Sequence, residues 1–311
     1  MCELLSECLL DPNAENGAFD ENTTALMRAE LIDTIDSVIN EKSSYAIQNA
    51  NKTAFVGEPM EFPANGTHEQ AEKVTARSAY AAYRRILESA RVEIFAVGCS
   101  DFSDAERILS ETFKKIERKN ICELTVTPSK LKPEPAFASD RLPMQQAILR
   151  MYFKAPELTD RFAGTMFTMI LGGMTTSRFF ENIREKQSLC YYCSCAAGRN
   201  KRYLAVYAGV EPKNIEHTRE AVLEEIRDIC ENGVSEEEIR TAMLEINNQI
   251  SSLYDSAAAL AGWYLNQLTD EKILSPEEFR EEISAVTAER IQAAARLYSL
   301  DTVYTLSGEE Q

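Results

Sequence analysis

Residues 123–143 carry four prolines (Pro128, Pro133, Pro135 and Pro143) among Lys, Glu and Ser. A stretch of this kind removes backbone donors and favours extended chain, so it predicts a linker and splits the 311 residues into two unequal halves. Before the linker, residues 21–40 and 43–53 space apolar side chains (Leu26, Leu31, Ile35, Val38; Tyr45, Ile47) among polar ones, the pattern of amphipathic helices. Gly57, Pro59, Pro63 and Gly66 mark a loop, and Thr67-x-x-Gln70 predicts a capping box opening a helix over 68–90. The run Val92–Gly98 predicts a strand, and Ser103-x-x-Glu106 a second cap for a helix over 104–118.

After the linker the pattern changes. Gln145–Phe153, 189–198, 203–210 and Thr302–Leu306 read as strands. Helices are expected at 159–171, 177–186, 216–231, from Ser235-x-x-Glu238 to about 250 and on to 268, from Ser275-Pro276-Glu277-Glu278, and over 288–298 behind Thr287. This is an α+β pattern, an antiparallel sheet backed by helices. The first half, by contrast, offers one strand with nothing local to pair with. A lone strand leaves backbone groups unsatisfied, so either strands are borrowed from elsewhere or an N-terminal portion is missing; the second is the expectation here.

Composition excludes several function classes. Fifty Asp plus Glu against 33 Lys plus Arg give a net charge of −17, which argues against nucleic-acid or anionic-membrane binding. No run of apolar residues is long enough to span a bilayer, and the start, Met1–Leu5, has no basic segment typical of a secretory leader. With eight cysteines and no disulfide-scaffold spacing, a reducing cytoplasm is the expected location. Only His68 and His217 are available as imidazole ligands, too few for a complete catalytic zinc site on this chain. Cys190-x-x-Cys193-x-Cys195 is read as thiols of a strand rather than a metal cluster, with Cys193 and Cys195 on one face and Cys190 on the other. Cys99, Cys122 and Cys230 are isolated, and Gly172-Gly173 lacks the Gly-Lys-Ser/Thr of a phosphate loop.

The segment with most chemistry is Leu171-Gly172-Gly173-Met174-Thr175-Thr176-Ser177-Arg178-Phe179-Phe180-Glu181-Asn182-Ile183-Arg184-Glu185-Lys186-Gln187-Ser188-Leu189-Cys190-Tyr191. Arg184 falls near a helix end and Tyr191 near the start of a strand. A reversal between them would bring a guanidinium and a phenol to one point, where both can donate to a peptide carbonyl and to the oxyanion formed from it. The alternative is that Arg184 pairs with carboxylates of its own helix end while Tyr191 packs in the sheet.

This segment resembles the signature S-R-[LF]-F-x-x-[IL]-R-E-K-x-x-L-x-Y of insulinase-like (pitrilysin, or mitochondrial-processing-peptidase-like) proteins, with Ser177-Arg178, Phe180, Arg184-Glu185-Lys186, Leu189 and Tyr191 in register. The resemblance implies two-layer metallohydrolase-like units: a partial first one over 1–122, the linker 123–143, and a second over 144–311. Family enzymes hold zinc with H-x-x-E-H and a downstream Glu. No H-x-x-E-H occurs here, and the position resembling the downstream Glu holds Thr34, beside Asp33. His68 and His217 are expected to be helix starts. What is kept is the second unit's Arg184 and Tyr191, which in family peptidases reach across to hold the substrate carbonyl. The resemblance therefore implies the non-zinc subunit of a heterodimeric metallopeptidase: no cofactor on this chain, zinc on a partner homologue, and a peptide as substrate. Tyr203 and Tyr207 are candidates for lining the chamber. A scaffold or peptide-binding homologue that lost the chemistry is the rival, and a longer source protein with a zinc motif upstream of Met1 is a third reading.

Overall fold

The computed structural model describes residues 2–98 and 101–308. Helices α1 (Cys2–Leu10), α2 (Glu21–Ser37), α3 (Lys42–Ala54), α4 (His68–Glu72), α5 (Ala76–Ser89) and α6 (Ser103–Lys114) precede the sheet, with a two-residue hairpin, β1 (Ala14–Glu15) and β2 (Ala18–Phe19), after α1. The main sheet comprises β3 (Ala136–Arg141), β4 (Ala147–Lys154), β5 (Cys190–Gly198), β6 (Tyr203–Val210) and β7 (Ser299–Ser307). Helix α7 (Arg161–Thr168) lies between β4 and β5, and α8 (Ile215–Asn232), α9 (Glu236–Ser252), α10 (Ala257–Leu265), α11 (Pro276–Ser284) and α12 (Ala288–Ala295) lie between β6 and β7. Strand order is β3-β7-β4-β6-β5, antiparallel throughout except the parallel edge pair β3–β7.

The expected α+β architecture is present, and the differences from the sequence expectations have physical causes. Helix 68–90 is two helices, because Thr75-x-x-Ser78 forms its own capping box and restarts the chain at Ala76. Ser103 does not cap with Glu106; its hydroxyl and backbone N–H both donate to Asp101, and Phe102 holds the cap position. The long helix expected to reach 268 breaks at the 3₁₀ turn Leu253–Asp255, after which Ser256 caps α10. The strand expected over 92–98 does not form. Residues 92–97 run without ladder bonds, and Val92, Ile94 and Val97 are exposed beside α6. A strand exists only by pairing, and no described segment pairs with Val92–Val97.

The linker is also less free than expected. Its last third, Ala136–Arg141, is the edge strand β3, paired in parallel with β7 from Ala136↔Thr302 to Arg141↔Ser307. Its middle is pinned: Ser129 donates its backbone N–H to Lys201 O at 2.9 Å and its hydroxyl to Glu58 at 3.0 Å. Asp301, with no solvent exposure, accepts from Lys132 Nζ at 2.6 Å and from the Lys132 backbone at 3.0 Å, and lies 3.2 Å from the buried Lys154 ammonium. Lys154 in turn donates to Ala54 O at 2.5 Å and Lys130 O at 2.9 Å. One carboxylate thus ties the connector and the end of α3 to the sheet.

Two cores follow from strand alternation. The inner face of the sheet (Leu149, Met151, Phe153, Val206, Ala208, Val303) packs against α7, α8, α9, α11 and α12. The outer face (Ile148, Tyr152, Ala205, Tyr304, Leu306) is covered in part by α3, whose Ala46, Ala50 and Ala54 recur every four residues and let the helix lie close.

Candidate functional site

The segment bearing Arg184 and Tyr191 is built on close approach. A side chain at Gly172 would place its Cβ 2.5 Å from the Phe179 ring and 2.9 Å from the Cys195 backbone, so only glycine lets this turn seat against β5. Phe179 and Ile183 are fully buried beneath it. Arg178 anchors the far end, with Nε 2.6 Å from Glu238, Nη1 2.5 Å from Asp228 and Nη2 donating to Gly233 O at 3.1 Å. In the sequence Arg178 stands out only as a signature residue; its three partners lie 50 to 60 residues downstream, beyond any local signal.

The helix expected over 177–186 is a wide π-helical stretch, Phe179–Lys186, preceded by another over Met169–Gly173. π-Helical turns recur at functional sites because they reset the direction of the following side chains. Arg184, in the last turn, has its guanidinium 4.7 Å from the Phe180 ring and 3.7 Å from the Glu185 carboxylate. Both Arg184 and Glu185 are well exposed, so this ion pair is a loose surface contact. Gln187 N–H donates back to Asn182 O, and Leu189 N–H to Ile183 O at 3.1 Å, which folds the strand entry onto the helix. Ser188, at φ 52°, makes the reversal.

Strand β5 then bulges. Cys190 pairs with Val210 and Tyr192 with Gly209, so Tyr191 is the extra residue. A bulge turns one side chain out of the ladder and reverses the parity of everything before it. Tyr191 is accordingly 50% exposed at the free edge of the sheet and does not pack in it. The same bulge corrects the expected placement of Cys190. It points to the core face with Cys193 and Cys195 and packs on the same cluster. A hydrogen bond from Cys193 lowers the Cys190 thiol, burial opposes this, and the Arg184 charge lowers it further. Cys193 is raised by that hydrogen bond and by burial, and Cys195 is raised by burial alone.

The histidines are placed as helix starts. His68 opens α4 behind a complete Thr67/Gln70 capping box, and its Nδ1 lies 2.9 Å from Asp36 and its Nε2 3.5 Å from Glu72. His217 is in the first turn of α8. Thr34 is in α2, its hydroxyl donating to Glu30 O at 2.8 Å. Among the described residues no group of three or more His, Cys, Asp or Glu side chains is arranged to hold a metal, and no helix is long and apolar enough to cross a membrane. Among the described residues the donor set therefore does not fit zinc. Cys99 lies outside the described residues; the other seven cysteines are free thiols.

Comparison with known proteins shows the family. The family model for the peptidase M16 inactive domain matches residues 73–245. "Probable inactive metalloprotease YmfF" of Bacillus subtilis is 27% identical over 312 aligned positions, covering 99% of this chain and 73% of that protein. An uncharacterized zinc protease of Streptomyces coelicolor is 22% identical, and the chain spans 55% of its length. The crystal structure of a conserved protein from Enterococcus faecalis superposes with a TM-score of 0.88 at 26% identity, over 100% of this chain and 74% of that one. The M16 inactive domain from Pseudomonas fluorescens shares the fold, with a TM-score of 0.80 at 16% identity over 99% of this chain and 75% of that one. By its signature, its fold and the extent of the inactive-domain match, the chain belongs to the peptidase M16 family.

Proposed function

We propose that this chain is the non-zinc subunit of a heterodimeric M16 metallopeptidase and offers Arg184 and Tyr191 to a peptide held against a zinc-bearing partner. The observation that carries the reading is the bulge at Tyr191. It leaves a phenol half exposed at the sheet edge, next to the helix end from which the Arg184 guanidinium projects with only a loose carboxylate contact. Two donors fixed by a rigid helix–strand junction can hold a scissile carbonyl in the ground state and bind its oxyanion more strongly as charge develops. Zinc, the water it activates and the general base belong to the partner. In this reading the chain divides into a partial first unit over 1–122, a connector over 123–143 and a second unit over 144–311, with Ala136–Arg141 of the connector contributing to the second unit's sheet. The place of action is the reducing cytoplasm, in keeping with the free thiols.

The test is reconstitution with an M16 homologue from the same genome that carries H-x-x-E-H. Arg184→Ala or Tyr191→Phe is expected to lower turnover by about 10²-fold, the usual cost of removing one oxyanion donor, while the pair still assembles. Unchanged turnover would move the assignment to an inert scaffold, with which the inactive-domain match is equally consistent. Zinc-dependent peptide cleavage by the purified chain alone would overturn both.

A further inference from the structure

On the outer face of the sheet, between α3 and the free edge strand β5, lies a cavity of about 520 Å³. Ser43 and Ile47 of α3 form one wall, Tyr192, Tyr203 and Tyr207 line the other sides, and Arg150 of β4 reaches into it. Arg150 is the one residue of β4 that is not buried. Its neighbours follow from register: it pairs with Tyr207 on β6 and Tyr304 on β7. Two glycines shape the space. Side chains at Gly209 and Gly198 would collide with the rings of Tyr192 and Tyr203, so their absence lets both rings lie across the sheet.

The guanidinium is poorly satisfied. It sits 5.8 Å from the ring centres of both Tyr152 and Tyr207, and Nη2 makes one long bond, 3.5 Å, to the Tyr152 hydroxyl. Its buried Nε has no hydrogen-bond partner. Among the described residues no carboxylate pairs with it, in a chain that has 50 acidic residues against 33 basic ones. Other part-buried guanidiniums do find an acid, as Arg178 and Arg161 do. A part-buried guanidinium left facing a cavity has five donors and a strong demand for an anion. Aromatic walls exclude water and strengthen any charge-assisted bond made there.

We propose that this cavity is a binding subsite for a peptide carboxylate, gripped by the Arg150 guanidinium between the tyrosine rings. The carboxylate is either an acidic side chain or the peptide's own C-terminus. The proposal deepens the peptide-handling reading above and rests on it: the cavity shares strand β5 with the Tyr191 bulge, so a peptide lying along this edge meets both. Arg150 here selects and positions; it takes no part in bond cleavage.

Titration calorimetry on the full chain tests this with three acetylated Ala/Gly heptapeptides. The first has a central Glu and an amidated C-terminus. The second has Gln in its place, and the third is the Gln peptide with a free C-terminal carboxylate. At low salt at least one carboxylate peptide is expected to bind about tenfold or more tighter than the neutral one, the preference weakening as salt rises. Which of the two binds identifies the source. Arg150→Gln should abolish the preference, and Arg150→Lys should keep part of it, with thermal melts establishing that each variant is folded. Equal affinity for all three peptides, or a preference that survives in folded Arg150→Gln, overturns the proposal. Those outcomes leave the Arg184/Tyr191 reading standing, because it is read by turnover in the reconstituted pair and not by peptide charge.

Discussion

Asp301 is the residue whose loss should cost the fold most for the fewest atoms changed. Its carboxylate is fully buried and stands 2.6 Å from Lys132 Nζ and 3.2 Å from Lys154 Nζ. At an effective dielectric of about 20, these two attractions are each worth roughly 5–6 kcal/mol before desolvation, which cancels much of the sum. Asp301→Asn keeps the shape but leaves the Lys154 ammonium buried with the carbonyls of Ala54 and Lys130 and the Phe55 ring, and without a counter-charge. Removing one partner of a buried pair typically costs about 3–5 kcal/mol, and that is the expected loss in urea unfolding at pH 7. Lys154→Met should cost far less, because Asp301 keeps Lys132 and the buried amine is gone. In the Lys154→Met background, Asp301→Asn should be cheaper by more than about 1 kcal/mol, since the uncompensated charge it creates is absent. Hydrogen exchange should rise together in the end of α3 and in residues 129–132, the segments joined through this carboxylate.

The pH dependence has a definite sign. Burial pushes the Asp301 carboxyl up, but the hydrogen bonds from Lys132 and Thr302 and the Lys154 charge outweigh it and hold it below its ordinary value. Its stabilisation is therefore complete above about pH 4, the unfolded value, and is lost as pH falls through the depressed folded value. Lys154 is lowered chiefly by burial, against the pull of Asp301. Its share of the destabilisation is relieved as pH rises from that lowered value toward about 10.4. A cost below about 1 kcal/mol for Asp301→Asn at pH 7, or strict additivity with Lys154→Met, would refute the argument that this carboxylate pins the connector.

Arg178→Met should destabilise by about 1–3 kcal/mol, read from urea midpoints, because it removes the cation shared by Glu238 and Asp228 and leaves the Gly233 carbonyl without its donor. Through the loosened helix it should also lower turnover in the reconstituted pair without removing either donor. His68 should titrate above its ordinary 6.5 in NMR, chiefly because of the hydrogen bond to Asp36, with the charges of Asp36 and Glu72 adding to it. Its contribution is present below about pH 6.5 and lost as pH rises through the raised folded value, and Asp36→Asn should return the imidazole toward normal.

Features fixed by residues three or four apart were legible in the amino-acid order. The capping boxes at Thr67/Gln70, Ser235/Glu238 and Ser275/Glu278 form as their spacing predicts, since each closes within one helical turn. The strands of the second half were legible too, within a few residues of their ends. So were the places of Arg184 at a helix end and of Tyr191 at the start of a strand.

Partners far along the chain decided the rest. Val92–Val97 has the composition of a strand but pairs with no described segment, whereas Ala136–Arg141, hidden among prolines, pairs with β7. One extra residue against Gly209 and Val210 turned Cys190 inward and Tyr191 outward, which alternation alone reads the other way for Cys190. Arg150 looked like any charged residue of a half-buried strand until the sheet set tyrosines around it and no acid. Caps and helix faces close locally and are written in the order of residues; ladders, bulges and unpaired charges exist only once distant segments meet.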